Sequence, residues 1–178
     1  TSGTSVINYG TGGSGFNGTF TPGLGSVNNI GQFGLSSAYS FDGLDTKIAV
    51  SNSSAYANST KQTVVALINP TNAGEGSNGA IYCFSNGNNR WLYASSTLFF
   101  GRRVTGSTNA QTTTNSGQVP INGEWQLAIF KYNDTTDRKV KLYKGYKGQL
   151  TEFTYGTQTA ATGSLGNETG VLNIGNAT

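Results

Sequence analysis

Histidine and methionine are missing altogether from this sequence, cysteine occurs once and proline three times. The absent histidine removes the side chain most often used as a general base, a triad member or a zinc ligand. Cys83, alone and without histidine, can build neither a Cys/His nucleophile pair nor a Cys and His zinc cage. An intrachain disulfide is likewise excluded, and Cys83, inside the apolar run AIYCFS, reads as a small buried core residue. Charge is scarce as well: Asp, Glu, Lys and Arg make up 11% of the chain, under half the usual share, so solubility must come from Asn, Thr, Ser and Gly. No stretch of about twenty apolar residues occurs, so no membrane insertion is expected. Runs of Ala, Leu, Glu and Lys that would build long helices are absent too.

What is present is β-sheet material. The 26 glycines in 178 residues imply many tight turns, and the length suits one domain with a sizeable core. The clearest stretch is Gly123 to Gly145, two strands around the polar turn 133–137. In its second strand Val140 and Leu142 alternate with Lys139, Lys141 and Tyr143, one face for the core and one for water. Its first strand is apolar on both faces at the centre, which predicts an interior strand covered on both sides, with Trp125, Leu127 and Ile129 in the core. Further strands are expected at 5–9, 38–41, 46–50, 62–68, 80–84, 90–94, 97–104, 149–155 and 170–174. Residues 1–34 read as a Gly, Ser and Thr-rich strand with loops, and the segment up to Gln118 as a polar connection. The glycines of GTGGSGFNGTF lack the flanking strand, helix and lysine of a phosphate loop. About ten strands with turn signals every eight to twelve residues predict an all-β, antiparallel β-sandwich.

Several segments resemble, in order, the concanavalin A-like or laminin G-like jelly-roll family. AYSFDGLDTKIAVSNSSAY is similar to its opening signature, TVVALINPTN to its next strand, and AIYCFS, RWLYA and TLFFGRR to three short strands. VPINGEWQLAIFKYN with KVKLYKG resembles its Gly-x-Trp strand and Leu-Tyr hairpin, and VLNIGN its late strand. The likeness runs from about Phe16 to Asn176, and no single motif is diagnostic. It implies a jelly roll spanning residues 1–178 as one domain. Gln126 stands where members often carry histidine. The family also continues past Ile-Gly into a closing strand, so the resemblance implies an edge left for a missing strand, another chain or N-terminal residues. A chain that opens at Thr1 without methionine also reads as a processed or excised piece.

The acids offer little catalysis. Relatives of this fold that hydrolyse glycosides cluster carboxylates on one strand, and a retaining pair stands about 5 Å apart. The four glutamates here, at 75, 124, 152 and 168, have no other acid within four residues. No enzyme is therefore expected, and no cofactor is required. Calcium is the ion the loops could hold, through Asp42 and Asp45 of FDGLD, although Asp42 equally suits a turn in which it accepts backbone amides. Asp134 and Asp137 suit a turn or pairing with Arg138 and Lys139. For a sugar, the aromatic and guanidinium candidates are Arg90, Trp91, Tyr93 and Tyr146; the face shared by Trp91 and Tyr93 could equally be core.

Six of the eleven basic residues fall between Lys131 and Lys147. They read as a solvated face whose lysines discourage edge pairing, or as a contact for an anionic partner; no nucleic-acid motif accompanies them. Six Asn-x-Ser/Thr sequons are about what this composition gives by chance. The expectation is a non-catalytic recognition or adhesion module, extracellular or on a cell or virion surface, binding a glycan or a surface protein. The competing expectation is a structural jelly roll of a capsid, decoration, tail or fibre that self-assembles through an open sheet edge.

Overall fold

A computed structural model describes residues 4–7, 10–11, 13–21, 27–28, 38–42, 45–50, 59–74, 79–85, 90–95, 98–103, 106–118, 123–166 and 170–175. The chain is all-β and antiparallel. Its strands are β1 (Thr4–Val6), β2 (Gly18–Thr21), β3 (Val27–Asn28), β4 (Ala38–Tyr39), β5 (Lys47–Val50), β6 (Lys61–Ile68), β7 (Ala80–Phe84) and β8 (Arg90–Ser95). They continue with β9 (Leu98–Arg103), β10 (Ala110–Thr114), β11 (Gln126–Asn133), β12 (Lys141–Tyr146), β13 (Gln149–Glu152), β14 (Tyr155–Thr159) and β15 (Leu172–Gly175). Among the described residues one 3-10 turn occurs, at Gly13–Phe16.

Two sheets face each other. The larger has nine strands in the order β1-β2-β5-β15-β7-β8-β9-β10-β14, the smaller four in the order β13-β12-β11-β6, and β3 and β4 pair separately. Their shared interior holds Phe130, Tyr132, Val140 and Leu142 from the small sheet against Phe84, Tyr82, Ile48 and Ala110 from the large one. The sheets approach closely at Gly101 of β9. A Cβ there would lie 2.7 Å from Val140 Cγ1 and 3.3 Å from Phe130 Cε2, so only a hydrogen fits between the layers at that point.

One long side of the sandwich is sealed. The chain passes from β13 in the small sheet to β14 in the large one through Phe153 and Thr154 alone. Phe153 is buried and its amide donates to Leu142 O at 3.0 Å. Thr112 Oγ1 and Gln158 Nε2 of the large sheet both donate to Val140 O, at 2.7 and 3.0 Å. Those bonds satisfy a carbonyl that would otherwise be buried and unpaired between strands.

The central hairpin lies where it is expected, but its first strand is turned over. Gln126, Ala128, Phe130 and Tyr132 face the core, while Leu127 and Ile129 are half-buried on the outer face. Trp125 is half-buried ahead of β11 and outside the core cluster. Neighbouring β6 explains the choice: the pairs Phe130 with Val64 and Tyr132 with Gln62 put the two largest rings inside, where they bury the most surface. Val140 and Leu142 are buried as expected, and Cys83 is 1% exposed with its thiol donating to Phe84 O. The lysine-bearing β12 lies between β11 and β13, so its lysines do not guard an edge.

Candidate functional site

The other long side of the sandwich is built differently. β6 ends the small sheet, and among the described residues no strand pairs with its outer edge. It stands over β7 and its neighbours: Gln62 Nε2 donates to the Tyr82 hydroxyl, and Tyr82 packs on Phe130 with ring centroids 6.4 Å apart. Beyond β15 the large sheet runs on through β5, β2 and β1. These three strands lie on the far side of β15 from β7.

A cleft of about 580 Å³ has β6 on one side and residues of β1, β2, β5 and β15 on the other. Ile48, Val50 and Leu172, all three buried, line it with Ile174, Val6 and Phe16, and Lys61 is the one charged side chain among the described lining residues. Ile174 remains 38% exposed although its paired residue Ile48 is buried. At the far end Phe20 is covered by Tyr39 and Phe41, with centroids at 5.1 and 6.5 Å.

The small sheet is apolar on its outer face as well. Cross-strand pairing aligns Val65 with Ile129 and Tyr143, and Leu67 with Leu127. Val65 and Leu150 are 58% and 59% exposed. Exposed apolar groups at this density on strand surfaces are associated with contact sites.

The basic end of the hairpin is largely self-contained. Asp134 accepts hydrogen bonds from Tyr132 Oη at 2.7 Å and Arg138 Nε at 3.0 Å, and Arg138 Nη2 lies 2.9 Å from the same oxygen. Burial, reinforced by the bond to Asp134, pushes the Tyr132 hydroxyl up to about 12. Asp137 pairs with Lys141 at 2.7 Å; Lys139 offers it a backbone amide at 3.4 Å. The ammonium partner is therefore Lys141, one strand turn beyond Lys139. The Lys141 bond holds the Asp137 carboxyl below its usual range and raises the lysine in turn. Lys144 donates to Gln118 O at 3.1 Å and lies over the Phe153 ring at 5.5 Å. Arg138, Lys141 and Lys144 of the clustered cations thus serve local contacts.

The sugar candidates are divided between the sheets. Arg90, Trp91 and Tyr93 belong to β8, interior to the large sheet, with Trp91 in register with Tyr82 on one side and Gly101 on the other. Tyr146 ends β12 in the small sheet, paired with Gln149. The side chains of these four lie outside the described residues. Asp42 Oδ1 accepts the amides of Asp45 and Thr46 at 3.3 and 3.2 Å, the geometry of a turn. Asp45 is exposed. Among the described residues no three of His, Cys, Asp and Glu come together as a cation site, and no helix is long and apolar enough to cross a membrane.

Against known proteins, no family model, no curated protein and no solved structure matches this chain.

Proposed function

We propose that this chain is a non-catalytic recognition or adhesion module, displayed on a cell or particle surface, that works by associating with other macromolecules along the open side of its sandwich. The observation that carries this reading is the asymmetry of the two long sides: one is sealed by Phe153 and the Val140 carbonyl bonds, while on the other no described strand pairs with the outer edge of β6, which lines an apolar cleft. A low-charge surface rich in Gly, Thr and Asn, without histidine, supports binding over chemistry. The ordered strand motifs support a laminin G-like jelly roll as the parent plan, with the structure of a capsid, decoration, tail or fibre as the alternative setting.

Sedimentation velocity over a wide concentration range, alone and with candidate surface partners, tests the association. A monomer that never associates under any of these conditions would remove it. Glycan recognition through Arg90, Trp91, Tyr93 and Tyr146 is the carbohydrate version of the same proposal. Binding to an array of glycans, lost in Trp91→Ala, would support it, and binding to none would exclude it.

A further inference from the structure

The outer face of the four-stranded sheet carries its apolar and charged groups in a fixed order along the strands. Pairing across the sheet sets Leu67, Leu127 and Leu150 in one row and Val65, Ile129 and Tyr143 in the next. A third row holds Lys131 and Lys141, and Lys61 lies beyond it. Val65 and Leu150, on the two edge strands of this sheet, are 58% and 59% exposed. The chain therefore covers neither end of the apolar rows. On the nine-stranded sheet the outer side differs: Cys83 and Asn173, paired there on the side away from Phe84 and Leu172, are buried.

An apolar sheet face is covered most completely by another sheet, packed with its strands within about 30° of the first. A second copy of this chain supplies such a sheet, and a twofold axis lying between the faces can stack the two in either of two ways. An axis along the strands lays Lys131 of each copy on Lys141 of the other and brings both cationic ends together, which charge repulsion opposes. An axis across the strands, passing between the apolar rows, lays the leucine row of each copy on the Val65, Ile129 and Tyr143 row of the other. The cationic ends then lie far apart. Each Lys131 comes over the stretch at Glu124 and Trp125 of the other copy, an exposed acid beside a half-buried ring.

We infer that the outer face of the four-stranded sheet is a self-association surface, on which a second copy of this chain packs about a twofold axis that crosses the strands. Four strands about 4.8 Å apart and about six residues long make a face of roughly 20 by 20 Å. Stacking two such faces removes roughly 1,000 Å² of accessible surface in total, the lower limit for a specific interface. A dimer with micromolar rather than nanomolar dissociation follows. This surface goes beyond the open side of the sandwich and meets it only at β6.

Sedimentation velocity from micromolar to millimolar concentration should show the dimer. Val65→Lys and Leu150→Glu, both at exposed positions, should keep the melting temperature and weaken the dimer at least tenfold; across the twofold axis Leu150→Glu sets a second carboxylate against Glu152 of the other copy. Ile7→Lys, equally exposed but beside the cleft, should leave the dimer unchanged. A spin label on Thr135→Cys, in the hairpin turn, reports the axis, because Cys83 is buried and stays unlabelled. With the axis across the strands the two turns point apart, with labels separated by roughly 45 Å, whereas an axis along the strands brings them within about 25 Å.

A monomer at millimolar concentration, or a dimer that survives both Val65→Lys and Leu150→Glu, would overturn the inference. Self-association lost in Ile7→Lys but kept in Leu150→Glu would refute the sheet contact while leaving association along the open side intact. Labels within about 25 Å of one another would refute the axis. A chain that stays monomeric yet binds other surface partners would remove this dimer alone, and one that associates with nothing would remove both readings.

Discussion

Replacing Gly101 with alanine inserts one methyl group at a point of close approach between the sheets. The new carbon would sit 2.7 Å from Val140 Cγ1, 3.3 Å from Phe130 Cε2 and 3.4 Å from Leu142 Cδ2, and Val140 and Leu142 are both fully buried. Overpacking of this kind costs about 1–3 kcal/mol. Gly101 is not in the left-handed region, so alanine can take its backbone angles and recovers about 0.4–1 kcal/mol from a less disordered unfolded chain. The expected net loss for Gly101→Ala is about 1–2 kcal/mol. Val140→Ala removes two buried carbons at about 0.8 kcal/mol each plus a cavity contribution, so about 2–3 kcal/mol. In the double variant the vacated space receives the new methyl, and the loss should fall short of the sum by about 1 kcal/mol or more. Urea denaturation of the four proteins, with equal slopes as the check on two-state behaviour, measures the cycle. Additivity within about 0.4 kcal/mol, or an undiminished stability of Gly101→Ala, would refute the claimed contact between the layers.

Two further outcomes are expected. If Asp42 serves the turn and no ion, Asp42→Asn should keep most of the stability, because the amide oxygen still accepts the Asp45 and Thr46 amides, whereas Asp42→Ala should lose about 1 kcal/mol; a calcium-dependent melting temperature in the native protein that disappears in Asp42→Asn would contradict this. Asp137 has a lowered carboxyl pKa in the folded state, so its contribution is present above the unfolded carboxylate value and fades as pH falls through the folded one. Because the pair with Lys141 is well exposed, Asp137→Asn should cost less than about 1 kcal/mol at neutral pH, and acid titration of both proteins should show their stabilities converging.

The strands rich in branched and aromatic residues were legible from the sequence, and those made of small polar residues were not. β6, β7, β8 and β11 stand within a residue or two of expectation. β10, AQTTT, sits inside what reads as a polar connection, yet Ala110, Thr112 and Thr114 are all buried. Threonine can occupy a core position when its hydroxyl has a partner, here the Val140 carbonyl for Thr112, and that partner is 28 residues away. β2 is hidden in the glycine-rich start for a related reason: Gly18 lies under Ile48, whose methyl would be 2.5 Å from a Cβ. The face of β11 could not be read from hydropathy because Leu127 and Ile129 outrank Gln126 and Ala128; pairing with β6 decided it. The cleft has no local signature. Val6, Phe16, Ile48 and Leu172 come from four separate stretches, and the only hint lay in QTVVALI, a strand apolar on both sides and without charge after Lys61.

The position of β15 bears on how the molecule comes into being. It lies between β5 and β7, so without it the nine-stranded sheet is two pieces, β1-β2-β5 and β7 through β14. Its partners are Lys47–Val50 and Tyr82–Phe84, far back in the chain. Pairings of such high sequence separation are slow to form. During synthesis the large sheet stays divided until Leu172–Gly175 has cleared the ribosome, and β5 and β7 meanwhile each have an edge awaiting the same late strand. The nascent chain is thus open to mispairing until β15 emerges, and a chaperone or a low temperature would act on that interval rather than on the assembled sheet.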